Sequence, residues 1–272
     1  MKVWMNGVVM DAADAKVSVL DHGFTVGDGC FETCKVVERV PFALTRHLQR
    51  LDRSAAGLGL PKPDHDLLRG AIDELIAAMP DAGRLRITYT GGPGPLGSDR
   101  GDAEPTLVIA VSPEGRWEVA TAVTTVPWPR SERSAVAGLK TTSYAENVVA
   151  LAYAHERGSS EAIYPNLQGN LCEGTGSNVF LVLDGELVTP PLSAGCLAGV
   201  TRDLIVEWCG AKERDVPLSA LAGADEAFLT SSTRDAQAIR SVDGVDLPSA
   251  PGPITRDVAA EFARRSKETP DP

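Results

Sequence analysis

Strand-like and helix-like stretches follow one another in this chain without strict alternation, and that irregularity limits its fold more than any other feature. A doubly wound parallel sheet needs a crossover helix between successive strands. Here Asn6-Gly7 reads instead as a tight hairpin turn between Lys2-Val3-Trp4-Met5 and Val8-Val9-Met10. Residues 30–37 alternate as a strand, with Gly27-Asp28-Gly29 forming a turn ahead of them. Residues 46–58 place Leu48, Leu51, Ala55 and Leu58 on one helical face, and residues 67–79 form a second helix stopped by Pro80. Strands at 85–90 and 106–111 flank a glycine- and proline-rich loop. Further strands fall at 118–127, 162–164, 179–183 and 226–230. Helices follow Lys140 and span residues 200–208, the second closed by Gly210. The pattern predicts an α+β fold in two domains. The smaller covers residues 1–112 and the larger residues 121–272, with a polar joint at 113–120 and a disordered tail over 266–272.

At 272 residues and 43% hydrophobic content the chain can bury two cores of ordinary size. No apolar run is long enough to span a membrane and the first residues carry no signal-peptide pattern, which predicts a cytoplasmic protein. The formal net charge of -11 argues against nucleic acid and anionic membrane as partners. It leaves room for an anionic substrate held by local arginines. Five cysteines, an odd number with no CxxC pair, and four scattered histidines predict neither a disulfide framework nor a metal site.

Two segments carry chemical content: Gly138-Leu139-Lys140, and Cys172-Glu173-Gly174-Thr175-Gly176-Ser177-Asn178-Val179-Phe180. Most of the seven lysines sit in polar or boundary contexts, as Lys62 does between two prolines. Lys140 instead closes the run Ala135-Val136-Ala137-Gly138-Leu139 and opens a helical-looking stretch from Thr141 to Leu151. A lysine partly withdrawn from water suits Schiff-base chemistry as a neutral amine. The same residue also fits as a stem packed on the fold with its ammonium in water. Glu173 by itself reads either as a capping carboxylate or as a site acid.

Together with Trp4-Met5-Asn6-Gly7, Gly27-Asp28-Gly29-Cys30-Phe31-Glu32-Thr33, His47-Leu48-Gln49-Arg50-Leu51 and Leu229-Thr230-Ser231-Ser232-Thr233, these segments resemble class IV aminotransferases along nearly the whole chain. Those are fold-type IV enzymes that use pyridoxal 5'-phosphate (PLP). They include branched-chain aminotransferases, D-amino-acid transaminases, (R)-amine transaminases and 4-amino-4-deoxychorismate lyases. The resemblance implies a two-domain fold like that of D-amino-acid aminotransferase, with the cofactor lysine, Lys140, in the larger C-terminal domain. It implies that Glu173 keeps the cofactor's pyridine nitrogen protonated. Arg50, Val200, Thr201 and Ser232 would hold the phosphate. An arginine fork and a helix N-terminus both suit that anion. Arg50 also reads as an exposed helix arginine, and Thr201 also reads as an N-cap.

The resemblance leaves the substrate side open. Phe31 reads either as a site wall or as core, and Tyr144 falls one position from the tyrosine expected near the lysine. The segment 86–98 lacks the Arg-x-His pair of D-amino-acid transaminases and the aromatic-plus-arginine pattern of branched-chain enzymes. Tyr89-Thr90 stands where the lyases carry serine-arginine. Arg86, Arg100 and Arg130 remain equal candidates for a substrate carboxylate. The reading favoured is a transaminase acting between an amino acid, with D-amino acids or (R)-amines preferred, and a 2-keto acid. Alternatives are 4-amino-4-deoxychorismate lyase, releasing pyruvate and 4-aminobenzoate, and a branched-chain L-amino-acid aminotransferase. A non-catalytic binding protein on the same fold would have lost Lys140 or Glu173, and both are present. The resemblance also implies a homodimer, with residues 24–31 as the candidate contributor to the partner's site.

Overall fold

A computed structural model describes all of residues 1–272. The chain forms two compact units: Met1–Gly115 with Leu139–Tyr144 and Pro270–Pro272, and Arg116–Gly138 with Ala145–Thr269.

In the first unit, β1 (Lys2–Met5) and β2 (Val8–Asp11) make the expected hairpin. Asn6 at φ 52° and Gly7 at φ 82° supply the two left-handed residues its two-residue turn requires. After a single helical turn, α1 (His22–Thr25), come β3 (Gly29–Val37) and β4 (Val40–Pro41). The helices α2 (Leu44–Gly57) and α3 (His65–Ala78) follow, then β5 (Arg84–Thr90) and β6 (Thr106–Ser112). The six strands form an antiparallel sheet in the order β2-β1-β6-β5-β3-β4. Side chains alternate across a strand, so each strand has one core-facing set. Cys30, Cys34, Leu85, Ile87, Tyr89 and Ile109 form that set and pack with Leu48, Leu51, Leu68, Ile72 and Leu75 of the two helices. Phe31 and Thr33 of β3, and Arg86 and Thr88 of β5, therefore lie on the opposite face of the sheet.

Two findings in this unit correct the sequence reading. The tail is ordered: Asp271 accepts hydrogen bonds from the Thr45 amide (2.8 Å) and hydroxyl (2.5 Å), and the Pro270 carbonyl accepts from the Ala43 amide (2.7 Å). Helix α2 needs this because Ala43, its N-cap, sits at φ 53° and offers no side-chain cap. The stretch after Lys140 is also extended rather than helical at first. Lys140 accepts from the Phe31 amide at 3.0 Å, Thr141 forms an isolated bridge with Cys30, and the Thr142 amide donates to Gly29 at 2.8 Å. These bonds attach Leu139–Tyr144 to β3, so Lys140 belongs to the N-terminal unit and not to the C-terminal one assigned to it from the sequence.

The second unit is built on a nine-stranded mixed sheet, in the order β12-β11-β10-β13-β14-β7-β8-β9 with β15 beside β14. Its strands are β7 (Ala120–Thr125), β8 (Glu161–Pro165), β9 (Leu171–Gly174), β10 (Asn178–Leu183), β11 (Glu186–Thr189), β12 (Lys212–Glu213), β13 (Glu226–Ser231), β14 (Asp235–Val242) and β15 (Val245–Asp246). The β14/β7, β7/β8 and β11/β12 pairs are parallel and the rest antiparallel, the mixture expected of an α+β chain. Its helices are α4 (Ala145–His155), α5 (Val200–Cys209) and α6 (Pro253–Glu268). Gly210 at φ 69° ends α5, as the sequence indicates. Helix α6 begins with Pro253 at a position that needs no amide hydrogen and buries Val258 and Phe262. No helix is long and apolar enough to cross a membrane.

Candidate active site

Four of the candidate residues gather on the face of the N-terminal sheet opposite its helices. Lys140 Nζ lies 4.2 Å from the centroid of the Phe31 ring and 3.4 Å from the Tyr144 hydroxyl. Tyr144 meets the same ring edge-on at 5.1 Å, and the Arg86 guanidinium stacks on it at 3.7 Å. Phe31 is thus an apolar floor shared by two cations, an arrangement that cation–π attraction favours. Arg86 is exposed by area, yet the surrounding chain desolvates its guanidinium enough to lower its pKa from the ordinary arginine value. Its one hydrogen bond runs from Nε to the Thr88 hydroxyl at 3.3 Å, and it forms no ion pair.

The other substrate candidates are placed differently. Tyr89 packs in the helix-facing core, 8% exposed, because its neighbours in the strand alternate to the other face. Arg100 is fully engaged: Nε and Nη2 pair with Asp28 at 2.5 and 2.6 Å, while Nη2 and Nη1 donate to the carbonyls of Leu58 and Gly59. Arg130 stacks on Tyr164 at 4.2 Å, donates to Asn147 at 2.9 Å, and pairs with Glu146 and Glu173 at 3.4 and 3.3 Å. The structure thus places Tyr89 in the core and pairs Arg100 and Arg130 with carboxylates, which leaves Arg86 as the arginine of the three without an anionic partner.

Arg50 sits on α2, on the helix side of the sheet and almost wholly buried. Its Nε and Nη2 donate to the two oxygens of Glu32 at 2.7 Å each, and His47 Nδ1 lies 2.7 Å from the same carboxylate. Burial alone would raise the Glu32 pKa, but Arg50 and His47 outweigh it and hold the carboxyl well below the ordinary range. Burial lowers the His47 pKa. The Glu32 motif on β3 and the His47–Arg50 motif on α2 thereby meet in one buried network.

In the C-terminal unit, Glu173 ends β9 and accepts from the Leu197 amide at 2.9 Å through Oε2. The Leu197 carbonyl accepts from Asn178 at 2.9 Å, so both backbone polar groups of Leu197 are held. Gly199 is required here: a Cβ on it would lie 2.0 Å from Asn178 Oδ1. Gly199 also precedes α5 without a side-chain cap, which leaves the first amides of that helix, near Val200 and Thr201, suited to an anion. Ser232 is half-buried in the turn between β13 and β14.

Sequence reasoning missed what stands behind these loops. Glu161, with no exposed surface, accepts from the Thr175 amide (3.0 Å) and hydroxyl, from the Ser177 hydroxyl (3.1 Å) and from Arg234 (2.9 Å). The threonine and serine of the Glu173 segment are thus partners of a buried acid. Ser54, which accepts from the Lys140 amide at 3.0 Å, was missed as well. Helical spacing from Arg50 to Ser54, one turn along the same face, was the signal available for it.

PLP requires an amine, an acid for the ring nitrogen and a phosphate cradle. The N-terminal unit offers the amine on Lys140, and the C-terminal unit offers Glu173 and an uncapped helix N-terminus. Each unit thus carries residue types that the cofactor requires.

Comparison with known proteins gives the same answer. The profile described as Amino-transferase class IV matches residues 29–242. A putative branched-chain-amino-acid aminotransferase of Methanocaldococcus jannaschii is 31% identical, over 96% of this chain and 95% of its own. A bifunctional aminodeoxychorismate lyase / D-amino acid transaminase of Mycobacterium tuberculosis is 30% identical, over 92% and 94%. The norvaline-bound branched-chain aminotransferase of Thermoproteus uzoniensis superposes with a TM-score of 0.90 at 31% identity, covering 97% of this chain and 94% of that one. A hypothetical aminotransferase of M. tuberculosis in its PLP-bound form gives 0.85 at 27% identity, covering 97% and 98%. The chain has the fold of the fold-type IV transaminases, its cofactor is pyridoxal 5'-phosphate, and it belongs to the class IV aminotransferases.

Proposed function

We propose that this enzyme moves an amino group between an amino acid, with D-amino acids or (R)-amines preferred, and a 2-keto acid. The observation that carries the reading is Arg86, an arginine without an anionic partner, stacked on the ring that Lys140 also covers. An unpaired guanidinium beside the cofactor amine suits a substrate carboxylate, which favours amino acids over plain amines as donors. Strand β5 presents Arg86 and Thr88 on this face and turns its one aromatic, Tyr89, into the core. That supports a substrate wall unlike the aromatic-plus-arginine wall of branched-chain enzymes, and with it the preference for D-substrates.

When bound, PLP supplies a ring that accepts electrons from the substrate Cα. Lys140 Nζ holds the cofactor and then moves the substrate proton, against the Phe31 ring as an apolar wall. Glu173 holds a proton at the pyridine nitrogen, with Arg130 and the Leu197 amide orienting its carboxylate. Glu32 holds the Arg50 guanidinium that would bind the phosphate; in the C-terminal unit the amides at the start of α5 and the Thr201 and Ser232 hydroxyls are donors of the kind that anion needs. The lyase activity is the second reading, supported by the relative whose name joins it to D-amino acid transamination.

We also propose a cytoplasmic homodimer. Its contact surface would include residues 17–26, where Val19 is 73% and Phe24 75% exposed. Phe31, in the segment first expected to reach the partner, is instead 5% exposed.

The test is a single-turnover reaction of the PLP-loaded enzyme with D-alanine, L-leucine and (R)-1-phenylethylamine, following loss of the bound cofactor's visible absorption. D-Alanine should react fastest. Arg86→Leu should weaken D-alanine by roughly ten- to a hundredfold, the worth of one charge-assisted hydrogen-bonded pair, and leave the carboxylate-free amine within about twofold. Faster reaction with L-leucine would overturn the stereochemical claim. Inertness to all three, with pyruvate released from aminodeoxychorismate, would establish the lyase reading.

A further inference from the structure

One face of α2 runs along the backbone of Leu139 and Lys140. Ser54, 1% exposed, accepts the Lys140 amide at 3.0 Å. One turn further, Gly57 admits the Leu139 side chain so closely that a Cβ there would lie 2.6 Å from its Cδ1. One turn earlier, Arg50 is locked to Glu32. The Lys140 carbonyl is taken on the other side by the Phe31 amide at 3.0 Å. Every polar group of the Lys140 peptide backbone is thus satisfied, its donor by a helix side chain and its acceptor by β3. Ser54 is the helix side chain that binds the Lys140 backbone in this clamp. The extended stretch from Lys140 to Thr142 has no sheet neighbour other than β3 to direct it.

We propose that Ser54 is a positioning residue for the cofactor lysine: its hydroxyl oxygen fixes the Lys140 backbone, and through it the height of Nζ over the Phe31 ring. The proposal rests on Lys140 being the cofactor lysine. Removing the hydroxyl leaves a partly buried amide hydrogen without its protein acceptor, and the backbone relaxes to recover one. Nζ is carried with it, and covalent capture of the cofactor depends on approach geometry at that atom. Threonine keeps the hydroxyl, so Ser54→Thr should restore the contact where Ser54→Ala removes it.

The experiment measures three properties of wild type, Ser54→Ala and Ser54→Thr. They are the rate at which apoenzyme captures added PLP, the pH midpoint of the lysine-bound cofactor's visible absorption, and thermal unfolding of the apoenzyme. Ser54→Ala should capture PLP about five- to tenfold more slowly and shift the midpoint, as expected from loss of one buried hydrogen bond. Ser54→Thr should recover both to within about twofold. A Ser54→Ala enzyme that merely unfolds at lower temperature, with capture rate and midpoint unchanged, would overturn the positioning role. A wild-type enzyme that captures PLP on another lysine would overturn the assignment of Lys140 and this inference together.

Discussion

Glu32 has no exposed surface and is held by three bonds of 2.7 Å, two from Arg50 and one involving His47. Its depressed pKa makes it a source of pH-dependent stability. The folded value lies below the unfolded one of roughly 4.3, so the contribution is complete above that pH and is lost as pH falls toward the folded value. Glu32→Gln leaves Arg50 buried beside a neutral amide and should cost about 3–5 kcal/mol at neutral pH. Urea unfolding at pH 7 and pH 3 checks this, and the gap between wild type and variant should narrow at the lower pH. An equal gap at both would show that Glu32 is not ionised in the folded protein. At this scale the sequence was legible where a residue's chemistry is unusual for its local context, as with Lys140 and Glu173. It was illegible for arginines. Arg86, Arg100 and Arg130 looked equivalent until Arg100 was found on Asp28 and Arg130 on Glu146 and Glu173, partners distant or indistinct in sequence. The alternation of β5 would have excluded Tyr89 had Leu85 and Ile87 been used to set the core face.

Elements with a strong period or a clear stop were legible: the Asn6-Gly7 hairpin, α2, α3, and α5 with Gly210 beyond it. What failed depended on contacts made elsewhere. Thr141–Tyr144 reads as helix because its residues tolerate one, but β3 takes its backbone groups and α4 starts only at Ala145. The charged, proline-containing tail reads as disordered, yet α6 runs to Glu268 and Asp271 then supplies the cap that Ala43 lacks at the head of α2. The same helix carries Arg50 and Ser54, so tail, cap and lysine segment form a single chain of contacts within the N-terminal unit.

At the scale of the whole molecule, the α+β class was legible from the lack of strict alternation. The membership of Lys140 in the N-terminal unit was not, because a segment can pack with residues a hundred positions away. The exposed apolar residues at 17–26 lead to a prediction about assembly: light scattering at working concentration should return the mass of a dimer. A fully active monomer would remove the proposed role of that surface. The central claim is that Lys140, among seven lysines, is the residue that bonds the cofactor. Borohydride reduction of the PLP-loaded enzyme followed by peptide mapping tests it most directly. The account predicts one modified peptide per chain, bearing the label on Lys140 and absent from Lys140→Ala; a label on any other lysine would contradict it.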